Sequence, residues 1–166
     1  MLPQGTWGGV IYTHAEKRAL RFAHKVAEVT GDVLPSEMTV DIQFHTSRVR
    51  GVISGIRGDR LVRFSPVKIK GRDILRGWIY HCAVNGIDET PGCSTVCVFK
   101  DAVAAFEPVT RSQARQVLGE LVELFHRGNE KPLLFFPGTS WEYASAILTG
   151  KDEKKAYGSA KRQWEG

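Results

Sequence analysis

Residues 48–81 read RVRGVISGIRGDRLVRFSPVKIKGRDILRGWIYH, and the fold is decided there. Arg48, Arg50, Ser54 and Ile56 alternate with Val49, Gly51, Ile53 and Gly55, the two-residue period of a strand with two different faces. Gly58-Asp59 is a turn, and Leu61–Ser65 is a second strand returning beside the first. Pro66 cannot donate to a ladder, so Pro66–Gly71 reads as a connector. Ile74, Leu75, Trp78, Ile79 and Cys82 then recur at three- and four-residue spacing, which predicts an amphipathic helix over about 73–85, closed near Asn85-Gly86.

Upstream, Val40, Ile42 and Phe44 alternate with Asp41, Gln43 and His45, another half-buried strand joined to the first by the short Thr46-Ser47 turn. Before it, Thr13-x-x-Glu16 has the form of a capping box, and Ala19, Phe22, Ala23, Val26 and Ala27 predict a helix over 13–30, stopped by Gly31. Downstream, Thr95–Phe99 is an apolar, β-branched strand, with a further short strand near Ala104–Val109. Thr110-x-x-Gln113 caps a helix carrying Val117, Leu118, Leu121, Val122 and Phe125 that Gly128 ends. Pro132–Pro137 is an apolar segment pinned by prolines. Thr139-x-x-Glu142 caps a helix with Trp141, Tyr143, Ala144, Ile147 and Leu148, and the polar tail from Lys151 is helical. The order α-β-β-β-α-β followed by helices predicts an α/β domain over 1–166. Its core spans about 10–109, with the three strands after the first helix forming an antiparallel meander, and a helical extension covers about 110–166. The exposed character of the last residues, Lys161–Gly166, reads as a chain cut from something longer.

The 166 residues suit one domain, and 42% hydrophobic with 25% charged residues excludes intrinsic disorder and a disulfide-rich scaffold. No apolar run approaches the roughly 20 residues of a membrane span. Three cysteines, Cys82, Cys93 and Cys97, form no C-x-x-C pair and fit reduced, buried thiols of a cytoplasmic protein better than a metal site, which needs a fourth ligand.

Charge is uneven. Residues 48–76 hold nine basic side chains against Asp59 and Asp73, a net +7 in 29 residues, while the other 137 residues sum to −2. Such a stripe on a near-neutral body points to a polyanion, nucleic acid foremost, against the blander reading of a solvated charged face. The candidate DNA contacts are Arg48, Arg50, Arg57, Arg60, Arg63, Lys68, Lys70 and Arg72. Strand alternation prevents them from sharing one face, so the expected contact points are the hairpin tip at Arg57–Arg60 and the loop at Lys68–Arg72, ahead of Arg111 and Arg115 on the later helix.

No phosphate-binding glycine loop, zinc-protease motif or nucleophile elbow is present. The element order with a basic middle is similar to the PD-(D/E)xK nuclease core. That core needs an aspartate on one strand and an acid-x-Lys trio on the next to hold Mg²⁺ beside a scissile phosphate. Nucleases of the RecB type carry Gly-x-Ile-Asp, then Asp-Tyr-Lys, then Gln-x-x-x-Tyr on the following helix. Here the corresponding stretches are Gly51-Val-Ile-Ser54, Ser65-Pro-Val67 and Arg76-x-x-x-Tyr80. Ser54, Ser65 and Val67 thus stand at vestigial catalytic positions, and both acids are gone.

The whole chain resembles the C-terminal, nuclease-like domain of RecC, the gamma subunit of exodeoxyribonuclease V. The resemblance runs through Leu2-Pro-x-Gly5, Gly51–Gly55, Asp59–Lys68, Asp73–His81 and Leu121–Gly128, and is most specific over Lys131-Pro-Leu-Leu-Phe-Phe-Pro-Gly-Thr-Ser-Trp141. In that family the stretch matching Ala160–Gly166 continues into an acidic segment. The resemblance implies a restriction-endonuclease-like domain without catalytic groups or a cofactor of its own. It would guide and split DNA within a RecBCD-type complex, beside RecB-type and RecD-type subunits that supply the nuclease, ATP hydrolysis and Mg²⁺. Two other readings stand beside it. One is an active metal-dependent nuclease using migrated carboxylates such as Glu16, Asp41 or Asp59. The other is a pure protein-interaction module anchored on Trp141, Tyr143 and Pro132–Pro137.

Overall fold

The computed structural model describes residues 6–88 and 92–165; the Leu2–Gly5 opening and Gly166 lie outside them. The elements in chain order are α1 (Thr6–Thr30), β1 (Ser36–Gln43), β2 (Arg48–Arg57), β3 (Arg60–Ser65), α2 (Gly71–Asn85), β4 (Ser94–Phe99), β5 (Val103–Phe106), α3 (Arg111–Glu130), α4 (Pro137–Leu148) and α5 (Glu153–Glu165). The five strands form one mixed sheet in the order β1-β2-β3-β4-β5. β1, β2 and β3 pair as the expected antiparallel meander. α2 then carries the chain over to β4, which runs parallel to β3, and β5 closes the sheet antiparallel to β4.

Helices cover both faces. On one side Val40, Ile42, Ile53, Ile56 and Leu61 of the sheet pack with Cys82, Ala83 and Val84 of α2 and with Ala114 and Leu118 of α3. α3, grouped by its sequence position with the extension, is therefore part of the core. α4 packs on α2, and α5 on α4. The other side belongs to α1, which meets β3 and β4. There Lys25 Nζ donates to the carbonyls of Phe99 and Ala102 at 2.9 and 3.1 Å, tying the helix to the β4–β5 turn.

Several boundaries differ from the expectations, each for a local reason. α1 begins seven residues before Thr13, whose hydroxyl bonds back to the Gly9 carbonyl at 3.0 Å and so caps nothing. A threonine inside a helix makes this bond when no helix end is there to be capped. Thr139 likewise lies inside α4, which starts at Pro137, a residue whose fixed φ suits the first turn. α3 runs through Gly128 to Glu130, since its amide ladder continues without a left-handed residue there. The Thr110–Gln113 box is formed in both directions. β5 is shorter and earlier than expected, ending at Phe106 before Pro108.

The largest correction concerns β2. Ile53 and Ile56, three residues apart, are both buried, although strict alternation puts them on opposite faces. The pairing with β1 slips between Ser36–Ile56 and Glu37–Ser54, leaving Gly55 as an extra residue. Gly55 has φ +91°, and a Cβ there would lie 2.8 Å from the Val62 carbonyl oxygen. This glycine bulge resets the alternation and turns Ile56 inward.

Candidate nucleic-acid interface

The basic residues fall into three groups with different surroundings. On β2, Arg48 and Arg50 sit across from Gln43 and Asp41 in the β1 register. Asp41 grips both: Arg48 donates from Nε at 2.5 Å and from Nη2 at 2.6 Å, and Arg50 from Nε at 3.1 Å. The Arg48 guanidinium in particular holds the Asp41 carboxyl below the ordinary carboxylate range. One surface carboxylate thus engages two of the guanidinium groups on this strand.

The second group is the hairpin tip. Gly58, at φ +62°, and Asp59 make a two-residue turn between the paired Arg57 and Arg60, the arrangement in which glycine leads a tight hairpin. The Arg57 guanidinium donates to the Val33 carbonyl, and Arg60 is exposed.

The third group surrounds the C-terminal ends of the parallel pair β3 and β4, the place where open α/β sheets hold ligands. Leu61, Arg63 and Ser65 share the α2 side of β3, while Phe64 faces the groove under α1. Arg63 lies over the Tyr80 ring of α2 at 3.8 Å, a cation–π contact. The connector is held at its backbone: Ile69 N–H donates to Asp101 Oδ1 at 2.9 Å, and Lys100 N–H to the Val67 carbonyl at 3.0 Å. Lys68, Lys70 and Arg72 are exposed on it and on the first turn of α2. Among the described residues Lys68 and Lys70 have no ion-pair partner, and Arg72 approaches Asp73 only at 4.0 Å.

Beside this loop is a cleft of about 170 Å³, lined by Arg63, Ser65, Asp73, Arg76, Cys97 and Phe99 among others. The side chain of Asp73 is 15% exposed, and its Oδ2 is buried without a hydrogen-bond partner among the described residues. α4 seats against the start of α2 at Gly71, where a Cβ would lie 2.5 Å from the Pro137 carbonyl oxygen and would also strike Trp141.

Of the positions expected to be vestigial, Ser65 lines the cleft together with Arg76, and Tyr80 stands beside them under Arg63. Ser54 is exposed, paired with Glu37, and does not line the cleft. Val67 is exposed on the connector. Glu16 is exposed on α1, Asp59 sits in the hairpin turn, and Asp41 is engaged by its two arginines. Among the described residues no three His, Cys, Asp or Glu side chains are placed to hold one metal ion. The three cysteines are free and buried, and burial pushes the Cys82 thiol up to about 11. Trp78 is partly buried and packs against His81 and Phe106 at the margin of the core.

Two features escaped the sequence. Asp73 appears in it in the charge count and at the head of the Asp73–His81 stretch, and Arg76 in the Arg76-x-x-x-Tyr80 comparison, but nothing in the sequence places the two on one cleft wall. Nothing local marks Asp41 as the partner of Arg48 and Arg50, because the pairing depends on the β1–β2 register.

Among the described residues no helix is long and apolar enough to cross a membrane. A solved structure titled "Crystal structure of SSO0001" covers 79% of this chain and 66% of its own at 13% identity, with a TM-score of 0.40, a likeness too low to define the fold. The chain is 25% identical over 145 residues to the RecBCD enzyme subunit RecC of Escherichia coli (strain K12), matching 84% of itself but spanning only 12% of that protein's length. The family model described as the RecC C-terminal domain matches residues 1–148, and with that match the chain belongs to the RecC C-terminal domain family.

Proposed function

We propose that this domain is a non-catalytic, nuclease-like DNA-handling part of a RecBCD-type exodeoxyribonuclease V gamma subunit. In this reading it takes a PD-(D/E)xK-type arrangement and guides DNA strands in the cytoplasm during recombinational double-strand break repair. It also packs against RecB-type and RecD-type subunits, which bring the nuclease, ATP and Mg²⁺. The domain uses no cofactor of its own.

The observation that carries the reading is the edge at the ends of β3 and β4, where Lys68, Lys70, Arg72 and Arg76 gather beside a cleft with a single carboxylate. Metal-assisted phosphodiester cleavage needs acids converging on an ion, and the positions for them hold Ser54 and Ser65. What the edge offers instead is positive charge on a tied-down backbone, which suits positioning a phosphate chain.

The test is fluorescence anisotropy of labelled single-stranded and duplex DNA against the 166-residue chain at increasing salt. Weak binding with a steep log–log salt slope is expected, each phosphate contact on duplex adding about −0.9. Salt-independent binding, or none at low salt, defeats the DNA reading. Digestion of the same DNA with Mg²⁺ or Mn²⁺ that disappears in Asp41→Ala defeats the non-catalytic one.

A further inference from the structure

We infer that the flank of α5 carrying Tyr157 and Trp164 is a stacking platform for unpaired bases of single-stranded DNA, with the basic connector at Lys68–Arg72 meeting the adjoining phosphates. The inference rests on the DNA reading above and adds to it a located contact that an intact duplex cannot make.

α5 buries Ala156 and Ala160, on the side packed against α4. Tyr157 and Trp164 lie on the neighbouring flank and are 65% and 60% exposed. Seven residues separate them, so the helix repeat sets them on one flank, about 10.5 Å apart along the axis. That spacing lets each ring take its own base. Trp164 meets the Phe136 ring edge-to-face at 4.4 Å. Phe136 can cover only one face of the indole, so the other is free, and the contact steadies the ring before a ligand arrives. A ring already held in place loses little freedom when a base stacks on it.

The Trp164 end of this flank lies beside the connector. Phe136 precedes Pro137, whose carbonyl oxygen would be 2.5 Å from a Cβ on Gly71, and a Cβ on Gly138 would be 3.5 Å from Gln163 Nε2, one residue before Trp164. Lys70 and Arg72 flank Gly71 on the chain, and both are exposed. On α5 itself Lys161 stands between the two rings along the helix. Its contact with Glu165 is a single 3.5 Å approach between side chains that are both more than half exposed, and such a surface pair holds a lysine weakly. Glu153, one turn before Tyr157, puts the acidic end of the flank away from the connector. Exposed rings interleaved with cations are what a single strand needs, since every base offers a face to stack and every link a phosphate to neutralise. A partner helix would ask instead for an unbroken apolar stripe, which Lys161 interrupts. Duplex DNA keeps its bases stacked on one another and has none to lend.

The experiment titrates labelled oligo-dT of about twelve nucleotides, within the span of one small binding domain, and a duplex of the same length into the 166-residue chain by anisotropy. Circular dichroism checks that each variant is folded. Trp164→Ala should weaken dT binding about tenfold and duplex binding less than about twofold. Trp164→Phe keeps a ring and should retain most of the dT affinity. Tyr157 has no aromatic partner among the described residues, so Tyr157→Ala tests the platform without touching the Phe136 contact, and it should also cost dT more than duplex. Trp7 is 76% exposed on α1, across the sheet from α5, and Trp7→Ala should change neither. Unchanged dT affinity in both Trp164→Ala and Tyr157→Ala overturns the platform and leaves the DNA reading standing, as does an equal loss for dT and duplex. Binding of neither DNA by the wild type at low salt removes the DNA reading, and the inference with it.

Discussion

Arg48 and Arg50 on β2, and Lys68, Lys70 and Arg72 on the connector and the start of α2, contribute alike to the charge of residues 48–76. The structure treats them differently. The β2 pair spends much of its charge on Asp41, across a fixed strand register. The connector group stands on a loop whose backbone is tied at Ile69 and Lys100, while its side chains are exposed. Guanidinium groups already bonded to a carboxylate must give up those bonds to meet a phosphate; the connector lysines need give up nothing of the kind. A charge count therefore overstates the usable stripe, and the part that remains exposed lies on the connector and the start of α2, with Arg60 at the hairpin tip. A similar pairing quiets α3, where Arg111 and Arg115 meet Asp88 at 2.7 and 3.3 Å.

The strongest way to break this contrast is charge reversal. Lys68→Glu, Lys70→Glu and Arg72→Glu together should weaken DNA binding at least about tenfold at low salt and flatten the duplex salt slope by about 0.9 per lost contact. The same reversal at Arg111 and Arg115 should do far less, and equal losses would mean that only net charge matters. Next comes Gly71→Ala, whose methyl collides with α4 at the Pro137 carbonyl and Trp141. It should lower stability by about 1–3 kcal/mol in urea titrations and disturb the connector group while leaving the β2 pair unchanged. Asp41→Ala sharpens the contrast from the other side. Freeing Arg48 and Arg50 should strengthen DNA binding and steepen the slope by about 0.9 for each guanidinium that finds a phosphate. An unchanged slope would show that Asp41 was not restraining them.

The smallest effect is a titration. By carboxyl NMR, Asp41 should lose its charge below 3.8, the ordinary value, and Arg48→Ala should bring it back up. Because the folded-state value is depressed, what the pair adds to stability is present above 3.8 and is lost as pH falls through the folded value.

Much of the fold was legible because it depends on local periodicity. β1 to β3, α2 and β4 follow from alternation and three-to-four spacing, read in each case within a few residues of their ends. Capping boxes were less trustworthy. Thr110 forms one, whereas Thr13 and Thr139 fall inside helices, since a Ser/Thr-x-x-Glu/Gln pattern says nothing about whether the preceding turn is also helical. The Gly55 bulge was missed because a single extra residue leaves the composition unchanged and shows only in the pairing with β1. At the candidate site the basic residues were legible one by one. Their partition was not, because the Asp41 clamp spans two strands and the Asp73 cleft draws on three elements. Both depend on distances that only the folded chain sets.

The crossover from β3 through α2 to β4 also bears on the order of assembly. The β1–β3 meander closes through two short turns and needs only local pairing. The parallel pair β3–β4 forms only after the intervening helix has been bridged, and pairings across longer loops are slower to reach. The cleft takes its walls from β3, α2 and β4. Its assembly therefore belongs to the late stage of folding, when β4 docks, and a refolding chain recovers its Asp41-clamped hairpin before it recovers the pocket at Asp73.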